Sequence, residues 1–208
     1  MTNQQLSDLL STYQLRPTDI QCDRIRSYVS LLLKWNRSIS LTTVTDESEI
    51  VKFHFGESGY ALSIVPDMNG RLADVGAGAG FPGVALKIFS ESISLILIES
   101  NAKKCAFLSE VVRELRLDQV TVVRARFEDV LDNFRCGLSL VAARALGNYD
   151  QLLRWSESAL VSGGRVVLWV GEEDAQTIVS DCEWWTWLPF APIPGARRRG
   201  ILVGSPLR

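Results

Sequence analysis

The sequence has few of the features that mark metal-dependent, disulfide-bonded, secreted or membrane proteins. It has one histidine, His54, and four cysteines that form no Cys-x-x-Cys pair, which excludes a zinc site and a disulfide framework. The longest run without a charged residue covers 184–196, which is shorter than the roughly 18 apolar residues that suggest a membrane span. The first basic residue is Arg16, so the amino terminus lacks the charged start of a secretory leader. We therefore predict a cytoplasmic protein with no metal and no membrane contact.

The net charge is also small. There are 22 basic and 24 acidic residues among 208, a formal charge of -2, which argues against coating nucleic acid through bulk charge but allows a local basic surface. Since 47% of the residues are hydrophobic, the chain can bury a substantial core as one domain with an additional segment. We expect a monomer.

The first third of the chain has the apolar spacing of helices. Apolar residues recur at helical intervals over 4–15 and 20–36, and a third helical stretch extends over about 46–64. Thr18 and Gln21 have the spacing of a capping box, which predicts the start of the second helix.

A cluster of turn-forming residues, which begins with Pro66, follows these helices. It predicts a boundary between an N-terminal helical segment, residues 1–66, and a second domain, residues 67–208.

In the second domain, short apolar runs alternate with helical patterns. This alternation predicts an α/β fold with a parallel sheet that is covered on both faces. The strand-like runs cover 72–75, 95–98, 120–123, 138–142 and 166–170. The helical runs cover 84–89, 102–115, a short turn near Glu128, and 149–161, which a Gly163-Gly164 turn follows. The segments 184–188 and 201–204 are joined by a loop, so they predict a closing antiparallel hairpin.

A glycine-rich loop follows the first of these strands. Residues 72–83 read Leu-Ala-Asp-Val-Gly-Ala-Gly-Ala-Gly-Phe-Pro-Gly. Gly76, Gly78 and Gly80 let the backbone adopt positive φ and approach a ligand closely, and Pro82 suits the first turn of a helix. So many glycines exceed the need of a tight turn, and the loop therefore predicts a ligand site.

Two cofactors fit the loop. Read from Gly78, it matches G-x-G-x-x-G through Gly80 and Gly83, with Glu99 about twenty residues further on, as in nicotinamide dinucleotide folds. That match begins three residues after the strand ends. Read from Asp74, the loop is an acid followed by G-x-G-x-G, which resembles motif I of S-adenosylmethionine-dependent methyltransferases. The loop alone leaves both cofactors open, and with them a nicotinamide-dependent oxidoreductase as the alternative to a methyltransferase.

Two more acids follow the next strands. Glu99 ends the second strand, where its carboxylate can accept both hydroxyls of a ribose. Glu128 follows the third strand, next to Phe127, where methyltransferases of this architecture usually hold the adenine. Because the carboxyl ends of parallel strands meet at one edge of a sheet, we expect these residues to line one crevice.

These residues closely resemble one family, the small-subunit ribosomal RNA methyltransferase G family, also called glucose-inhibited division protein B. The resemblance is carried by Lys34-Trp35-Asn36, Leu41-Thr42-Thr43-Val44, His54, Glu57-Ser58, residues 74–83, Glu99-Ser100, Lys103-Lys104 and Arg144-Ala145. It extends from about residue 30 to residue 171, and Phe81-Pro82-Gly83 is its most specific piece.

The resemblance implies a fold, a cofactor and a substrate. The fold is a Rossmann-like class I S-adenosylmethionine-dependent methyltransferase sheet, the cofactor is S-adenosylmethionine, and the substrate is N7 of a guanine in the 530 loop of 16S ribosomal RNA, free or in the small ribosomal subunit. Together with the loop, it predicts these cofactor-binding residues: Asp74, Gly76, Gly78, Gly80, Phe81, Glu99, Phe127, Glu128 and Arg144. No catalytic side chain is assigned, because guanine N7 carries an in-plane lone pair and needs no general base.

The sequence departs from the family pattern at three places. Glu57-Ser58 stands where the family usually has Asp-Ser, Ala143 where it has a serine, and Val170-Gly171 where it has Lys-Gly. A valine cannot reach a phosphate or a guanine as a lysine can. These departures leave open a homologue that binds S-adenosylmethionine but has an altered or lost RNA target.

A local basic surface is the remaining requirement for RNA binding. Arg197, Arg198 and Arg199, with Arg208 nearby, lie in a carboxyl end that has no acid after Glu183. Lys34 and Arg37 form a second candidate surface. Arg144 can anchor the methionine carboxylate or a phosphate, or it can pair with a neighbouring acid. We expect His54 to be a buried or interhelical residue.

Overall fold

The computed structural model describes residues 1–65 and 67–207. The helices are α1 Asn3–Ser11, α2 Asp19–Asn36, α3 Glu47–Ile50, α4 Glu57–Gly59, α5 Ala61–Ile64, α6 Gly83–Phe89, α7 Ala102–Glu114, α8 Tyr149–Ala159 and α9 Glu172–Asp181. The strands are β1 Gly70–Val75, β2 Ile93–Glu99, β3 Val120–Arg124, β4 Leu138–Arg144, β5 Leu160–Gly171, β6 Trp185–Trp187, β7 Ala191–Pro192 and β8 Arg199–Pro206. A π-helical segment, Val51–Gly56, links α3 to α4, and a 3₁₀ helix, Phe127–Asn133, follows β3.

All strands belong to one sheet, in the order β3-β2-β1-β4-β5-β8-β6, with β7 paired to β8. The strands β3, β2, β1, β4 and β5 run parallel to one another, and β8 runs antiparallel to both β5 and β6. The predicted parallel sheet and its closing antiparallel hairpin are confirmed. The strand order reverses between β1 and β4, because β2 and β3 lie on one side of β1 whereas β4 and β5 lie on the other. In open α/β sheets, ligands bind at the carboxyl ends of the strands beside such a reversal.

Alternate residues of the central strands face two separate apolar layers. In β2, Leu95 and Leu97 join the core that holds the N-terminal helices, α6 and α7, whereas Ile96 and Ile98 join the core under α8 and α9. A strand buried on both sides has to be apolar throughout, which explains the unbroken hydrophobic run.

The N-terminal helices pack on the sheet face that carries α6 and α7. The α2 residues Ile25, Tyr28 and Leu32 are fully buried in that layer. The predicted capping box is confirmed, because Thr18 Oγ1 accepts the Gln21 N–H at 3.3 Å and Gln21 Oε1 accepts the Thr18 N–H at 2.9 Å. The boundary predicted at Pro66 lies outside the described residues, and the division into two domains stays a prediction.

Three elements differ from the sequence-based expectations. The third helical stretch is broken by the π-helical segment. Gly163, which has a φ of +77°, lies in an irregular part of β5 between the pairs Leu138–Leu160 and Leu140–Arg165. The sequence did not indicate α9, which has a three-acid first turn and buries Ala175 and Ile178 on the sheet. Among the described residues, no helix is long and apolar enough to cross a membrane.

Candidate active site

The glycine loop begins directly where β1 ends. Gly76 and Gly78 have φ values of +71° and +56°, which favour glycine. Gly80 has a φ of +92° and is buried, and a Cβ there would lie 2.7 Å from Val84 Cγ2. Gly76 and Gly78 thus shape the open part of the loop, whereas Gly80 lets the loop pack against α6.

Glu99 ties this loop to the end of β2. Its Oε2 accepts the Gly78 N–H at 2.9 Å, and its Oε1 accepts the Asn101 N–H at 2.8 Å. Each carboxylate oxygen can accept a second hydrogen bond, so the group keeps capacity for two ligand hydroxyls. The predicted ribose acid is therefore held in place by the backbone on both sides.

Asp74 lies beneath the loop and is fully buried. Its Oδ2 accepts the Gly83 N–H at 2.7 Å, while its Oδ1 has no hydrogen-bond partner among the described residues. Burial raises the pKa of this carboxyl to about 7, the Gly83 N–H opposes the shift and the nearby Glu99 adds to it. An unpartnered buried oxygen is costly, and a ligand donor or a water would relieve that cost.

A first cavity of about 220 Å³ opens at the ends of β1, β2 and β3. Its lining residues are Gly76, Ile98, Glu99, Ser100, Ala125, Arg126, Phe127, Glu128 and Leu146. The structure thus brings four of the predicted cofactor residues to one cavity: Gly76, Glu99, Phe127 and Glu128.

A second cavity of about 510 Å³ lies at the ends of β4 and β5. Its lining residues are Val44, Phe53, His54, Arg144, Ala145, Tyr149, Trp169, Val170, Gly171, Asp174 and Arg199. Ala145 lines this cavity and its neighbour Leu146 lines the first one, so the two cavities are adjacent along the loop that follows β4. The volume is typical of cavities that hold a small ligand, roughly 300–1,000 Å³.

Arg144 is placed in the second cavity and not in the first. Its Nη1 donates to the Phe53 carbonyl oxygen at 2.9 Å, and its Nη2 donates to Glu57 Oε2 at 2.9 Å. The pairing with a neighbouring acid is therefore confirmed, whereas a contact between Arg144 and a ligand stays a prediction.

His54 and Phe81 form part of the wall between loop and helices. Their rings stack with centroids 4.7 Å apart, and His54 Nε2 lies 2.9 Å from Thr42 Oγ1. Phe81 is 8% exposed, and its ring also packs edge-on against Tyr28 and Phe55. Burial, with a contribution from Arg144, lowers the pKa of His54 to about 4, so the imidazole is neutral at pH 7. His54 is largely buried, as expected, yet it also lines the second cavity.

The predicted RNA-binding residues are divided between two surfaces. Lys34 lines a separate groove between α2 and α7, and Arg37 caps the end of α2. Arg199 lines the second cavity, Arg198 forms an exposed ion pair with Glu173 at 3.0 Å, and Arg197 is exposed. Arg208 lies outside the described residues.

Sequence reasoning missed the aromatic wall of the second cavity. Phe53, Tyr149 and Trp169 lie there together, although they are far apart in the chain. The position of Trp169 could have been predicted, because this residue lies two positions before the end of β5, at the carboxyl edge of the sheet. In the part of the chain that the structure describes, no three His, Cys, Asp or Glu side chains are grouped as metal ligands.

Comparisons with known proteins connect this geometry to a family. The family model described as rRNA small subunit methyltransferase G matches residues 21–190. A ribosomal RNA small subunit methyltransferase G from Desulfitobacterium hafniense is 35% identical over 181 residues, which cover 86% of this chain and 72% of the relative. Another from Roseiflexus castenholzii is 37% identical over 163 residues, 77% of this chain and 70% of the relative.

Solved structures show the same fold at low identity. An rRNA methylase from Streptococcus thermophilus superimposes with a TM-score of 0.55 at 13% identity and covers 71% of this chain and 92% of its own. A fibrillarin/Nop5p complex gives a TM-score of 0.59 at 16% identity, with 73% and 82% covered. The match over 170 residues and the identity to the curated relatives show that the chain belongs to the rRNA small subunit methyltransferase G family.

Proposed function

We propose that this protein transfers a methyl group from S-adenosylmethionine to N7 of a guanine in the 530 loop of 16S ribosomal RNA. The observation that carries the proposal is the convergence of Gly76, Glu99, Phe127 and Glu128 on one cavity, at the carboxyl edge of the sheet in a methyltransferase G family member. The small ribosomal subunit or its RNA is the partner.

The residues around the first cavity fit this cofactor. Glu99 would take the ribose hydroxyls, because it keeps one acceptor position on each oxygen. Phe127 and Glu128, which line the same cavity beyond β3, would hold the adenine. Gly76 and Gly78, whose positive φ values favour glycine, would let the methionine part approach the backbone of the loop, and Asp74 would support that loop through its bond to the Gly83 N–H. Gly80 and Phe81 would act indirectly, by fixing the loop.

The strand-end glycine separates the two cofactors that the loop left open. A dinucleotide fingerprint needs its first glycine where the strand ends, and that residue is Gly76, outside the frame that starts at Gly78. The position of Gly76 supports S-adenosylmethionine over a nicotinamide dinucleotide, and an oxidoreductase is not proposed.

The chemistry requires little of the protein's side chains. When bound, the cofactor supplies a sulfonium-linked methyl group, which the N7 lone pair accepts while the sulfur keeps the electrons of the broken bond. The guanine loses no proton, so no general base is required. A neutral His54 is compatible with a reaction that needs no base. The protein would act mainly by holding the two reactants in line, which lowers the activation barrier by roughly 7 to 11 kcal/mol in well-oriented systems.

The second cavity is the place for the RNA. The N7 edge lies in the deep, narrow groove of A-form RNA, so the base has to come from a loop or be turned out of its stack. The cavity is adjacent to the first one along the loop that holds Ala145 and Leu146, and its wall has the aromatic rings of Phe53 and Tyr149 and the cation of Arg199. Stacking surfaces and positive charge are what single-stranded RNA needs.

A transfer assay tests the function. Purified protein is incubated with methyl-labelled S-adenosylmethionine and with small subunits, or 16S RNA, that lack the modification. We expect label in the RNA, at one guanine of the 530 loop, with mass spectrometry showing 7-methylguanine. Transfer to a base elsewhere would overturn the position, and no transfer to either form of RNA would overturn the activity.

A second candidate is a homologue that binds the cofactor but has a different or no RNA target. The observation in its favour is Val170, which is 4% exposed and puts an apolar side chain in the wall of the second cavity. Calorimetry that detects S-adenosylmethionine binding, together with no transfer to 16S RNA, would support this candidate.

A further inference from the structure

One buried carboxylate holds both arginines of the second cavity. Glu57 is 1% exposed, its Oε2 accepts from Arg144 Nη2 at 2.9 Å, and its Oε1 accepts from Arg199 Nη2 at 2.7 Å. The backbone is fixed as well, since Trp169 Nε1 donates to the Glu57 carbonyl oxygen at 2.8 Å. Glu57, on α4, therefore connects the end of β4 at Arg144 to the start of β8 at Arg199.

The two arginines differ in their exposure and in how many hydrogen-bond acceptors hold their N–H donors. The Arg144 side chain is 20% exposed and is held by two acceptors, Glu57 and the Phe53 carbonyl. The Arg199 side chain is 46% exposed, and its guanidinium lies 5.7 Å from the centre of the Phe53 ring. Among the described residues only its Nη2 has an acceptor, so most of its five N–H donors remain for a ligand.

The free donors of Arg199, and not the net charge of the cavity, favour an anion. Two guanidinium groups share the Glu57 carboxylate, and the Asp174 carboxylate lines the same cavity, so the charges there balance. An anion would therefore bind through the free N–H donors of Arg199. A buried ion pair is weak evidence for stability, because desolvation of the charges offsets their attraction. The pair can instead serve to orient Arg199. A guanidinium binds a phosphate through two parallel hydrogen bonds only when its plane has the right orientation, and the bond to Glu57 restricts that orientation.

We propose that Glu57 is a positioning residue for RNA: it orients Arg199 so that the free edge of the guanidinium binds the phosphate of the target nucleotide, while the base enters the second cavity. This inference rests on the proposed function, because it takes RNA as the ligand. It adds a role for an acid that touches neither the cofactor nor the RNA.

A double-mutant cycle tests the inference. The variants are Glu57→Gln, Arg199→Gln and both together, with Glu91→Gln as a control that removes a surface ion pair to Arg24. RNA affinity is measured by fluorescence anisotropy with a labelled fragment that contains the 530 loop, and cofactor affinity is measured by calorimetry. Thermal unfolding shows whether each variant is folded.

We expect Glu57→Gln to weaken RNA binding about tenfold, the size of one charge-assisted hydrogen bond. S-adenosylmethionine affinity should change much less, because Arg144 keeps its bond to Phe53. In the Arg199→Gln background, Glu57→Gln should add no further loss of RNA affinity. Glu57→Asp should restore part of the RNA affinity, since the carboxylate is kept.

Other outcomes overturn it. If Glu57→Gln is folded and binds RNA as the unmodified protein does, Glu57 is not a positioning residue. Additive losses in the double variant, or a larger loss for the cofactor than for RNA, would contradict action through Arg199. If the unmodified protein itself binds no RNA fragment, the proposed function fails together with this inference, whereas normal binding with an unaffected Glu57 variant overturns only the latter.

Discussion

The carboxylate of Glu99 accepts the backbone N–H of Gly78 at 2.9 Å. This contact joins the end of β2 to the glycine loop after β1, so the two strands that form the crevice are locked together before any ligand arrives. An acid whose orientation is already fixed loses little conformational entropy on binding.

Replacing Glu99 should therefore weaken cofactor binding. In Glu99→Gln one side-chain atom becomes an NH₂ group, which faces either the Gly78 N–H or the Asn101 N–H and cannot accept from it. We expect the Kd for S-adenosylmethionine to rise at least tenfold, about the effect of one lost charge-assisted hydrogen bond. Calorimetry measures it, with the exposed Glu183→Gln as the matched control. Equal affinities in both variants would contradict the role of Glu99.

Gly83 should tolerate no side chain. A Cβ there would lie 2.6 Å from Asp74 Oδ2, 2.9 Å from Asp74 Cβ and 3.0 Å from Leu95 Cδ1, all in the buried core. We expect Gly83→Ala to lower the free energy of unfolding by roughly 1 to 3 kcal/mol, as other overpacked cores do. Urea unfolding measures this change.

The matched control for this variant is Gly147→Ala. Nothing lies within 4 Å of a Cβ at Gly147, which is on the loop after β4. Its effect should stay within about 0.5 kcal/mol, as for most surface substitutions. A Gly83→Ala protein as stable as the control would show that the Asp74–Gly83 contact is not tight.

Much of the fold was predictable because its signals are local. An apolar run such as 95–98, followed by a helical pattern, indicates a buried parallel strand wherever it occurs, and Thr18 and Gln21 encode a helix start within four residues. The family resemblance then gave the crevice residues, since Gly76 and Glu99 lie at strand ends that a parallel sheet brings together. The hydrogen bonds that these two residues make could be identified only from the structure.

The contacts that shape the second cavity were not predictable from spacing. Glu57 is 87 residues from Arg144 and 142 residues from Arg199, and no periodicity connects such distant positions. The arginine run at 197–199 looked uniform in sequence, yet Arg199 opens strand β8 and faces the cavity while Arg198 pairs with Glu173 on the surface. Only the sheet register decides which arginine points where.

Two buried groups should act in opposite directions on stability below pH 7. Burial raises the pKa of Asp74 from 3.8 to about 7, so the folded state holds a proton that the unfolded chain has lost, and stability falls as the pH rises through that range. Burial lowers the pKa of His54 from 6.5 to about 4, so there the unfolded chain holds the extra proton, and stability rises with pH.

Replacing Asp74 should reveal the pH dependence of stability that His54 contributes. In Asp74→Asn we expect stability to increase more steeply between about pH 4 and 6.5 than in the unmodified protein, by up to about 1.4 kcal/mol per pH unit. Urea unfolding at several pH values measures the difference between the two proteins, in which the other carboxylates cancel. Parallel stability curves would mean that Asp74 titrates at its ordinary pKa.

The three arginines at 197–199 should contribute unequally to the salt dependence of RNA binding. Each phosphate contact adds roughly 0.7 to the logarithmic slope on single strands, because binding releases condensed counterions. Arg199→Gln should therefore lower the slope by about that amount. Arg198→Gln should lower it less, because Arg198 has Glu173 as an acceptor at 3.0 Å. Arg135→Gln, which removes an exposed ion pair to Asp132, is the control.

The measurement is the RNA Kd at several salt concentrations, with the fragment that contains the 530 loop. A slope that decreases in Arg199→Gln alone places the phosphate contact at the second cavity, beside the aromatic wall. Equal decreases in Arg198→Gln and Arg199→Gln would instead show a diffuse basic surface, in which position along the arginine run does not matter. An unchanged slope in every variant would mean that the run is a solvated face and that RNA meets the protein elsewhere, with Lys34 and Arg37 as the next residues to replace.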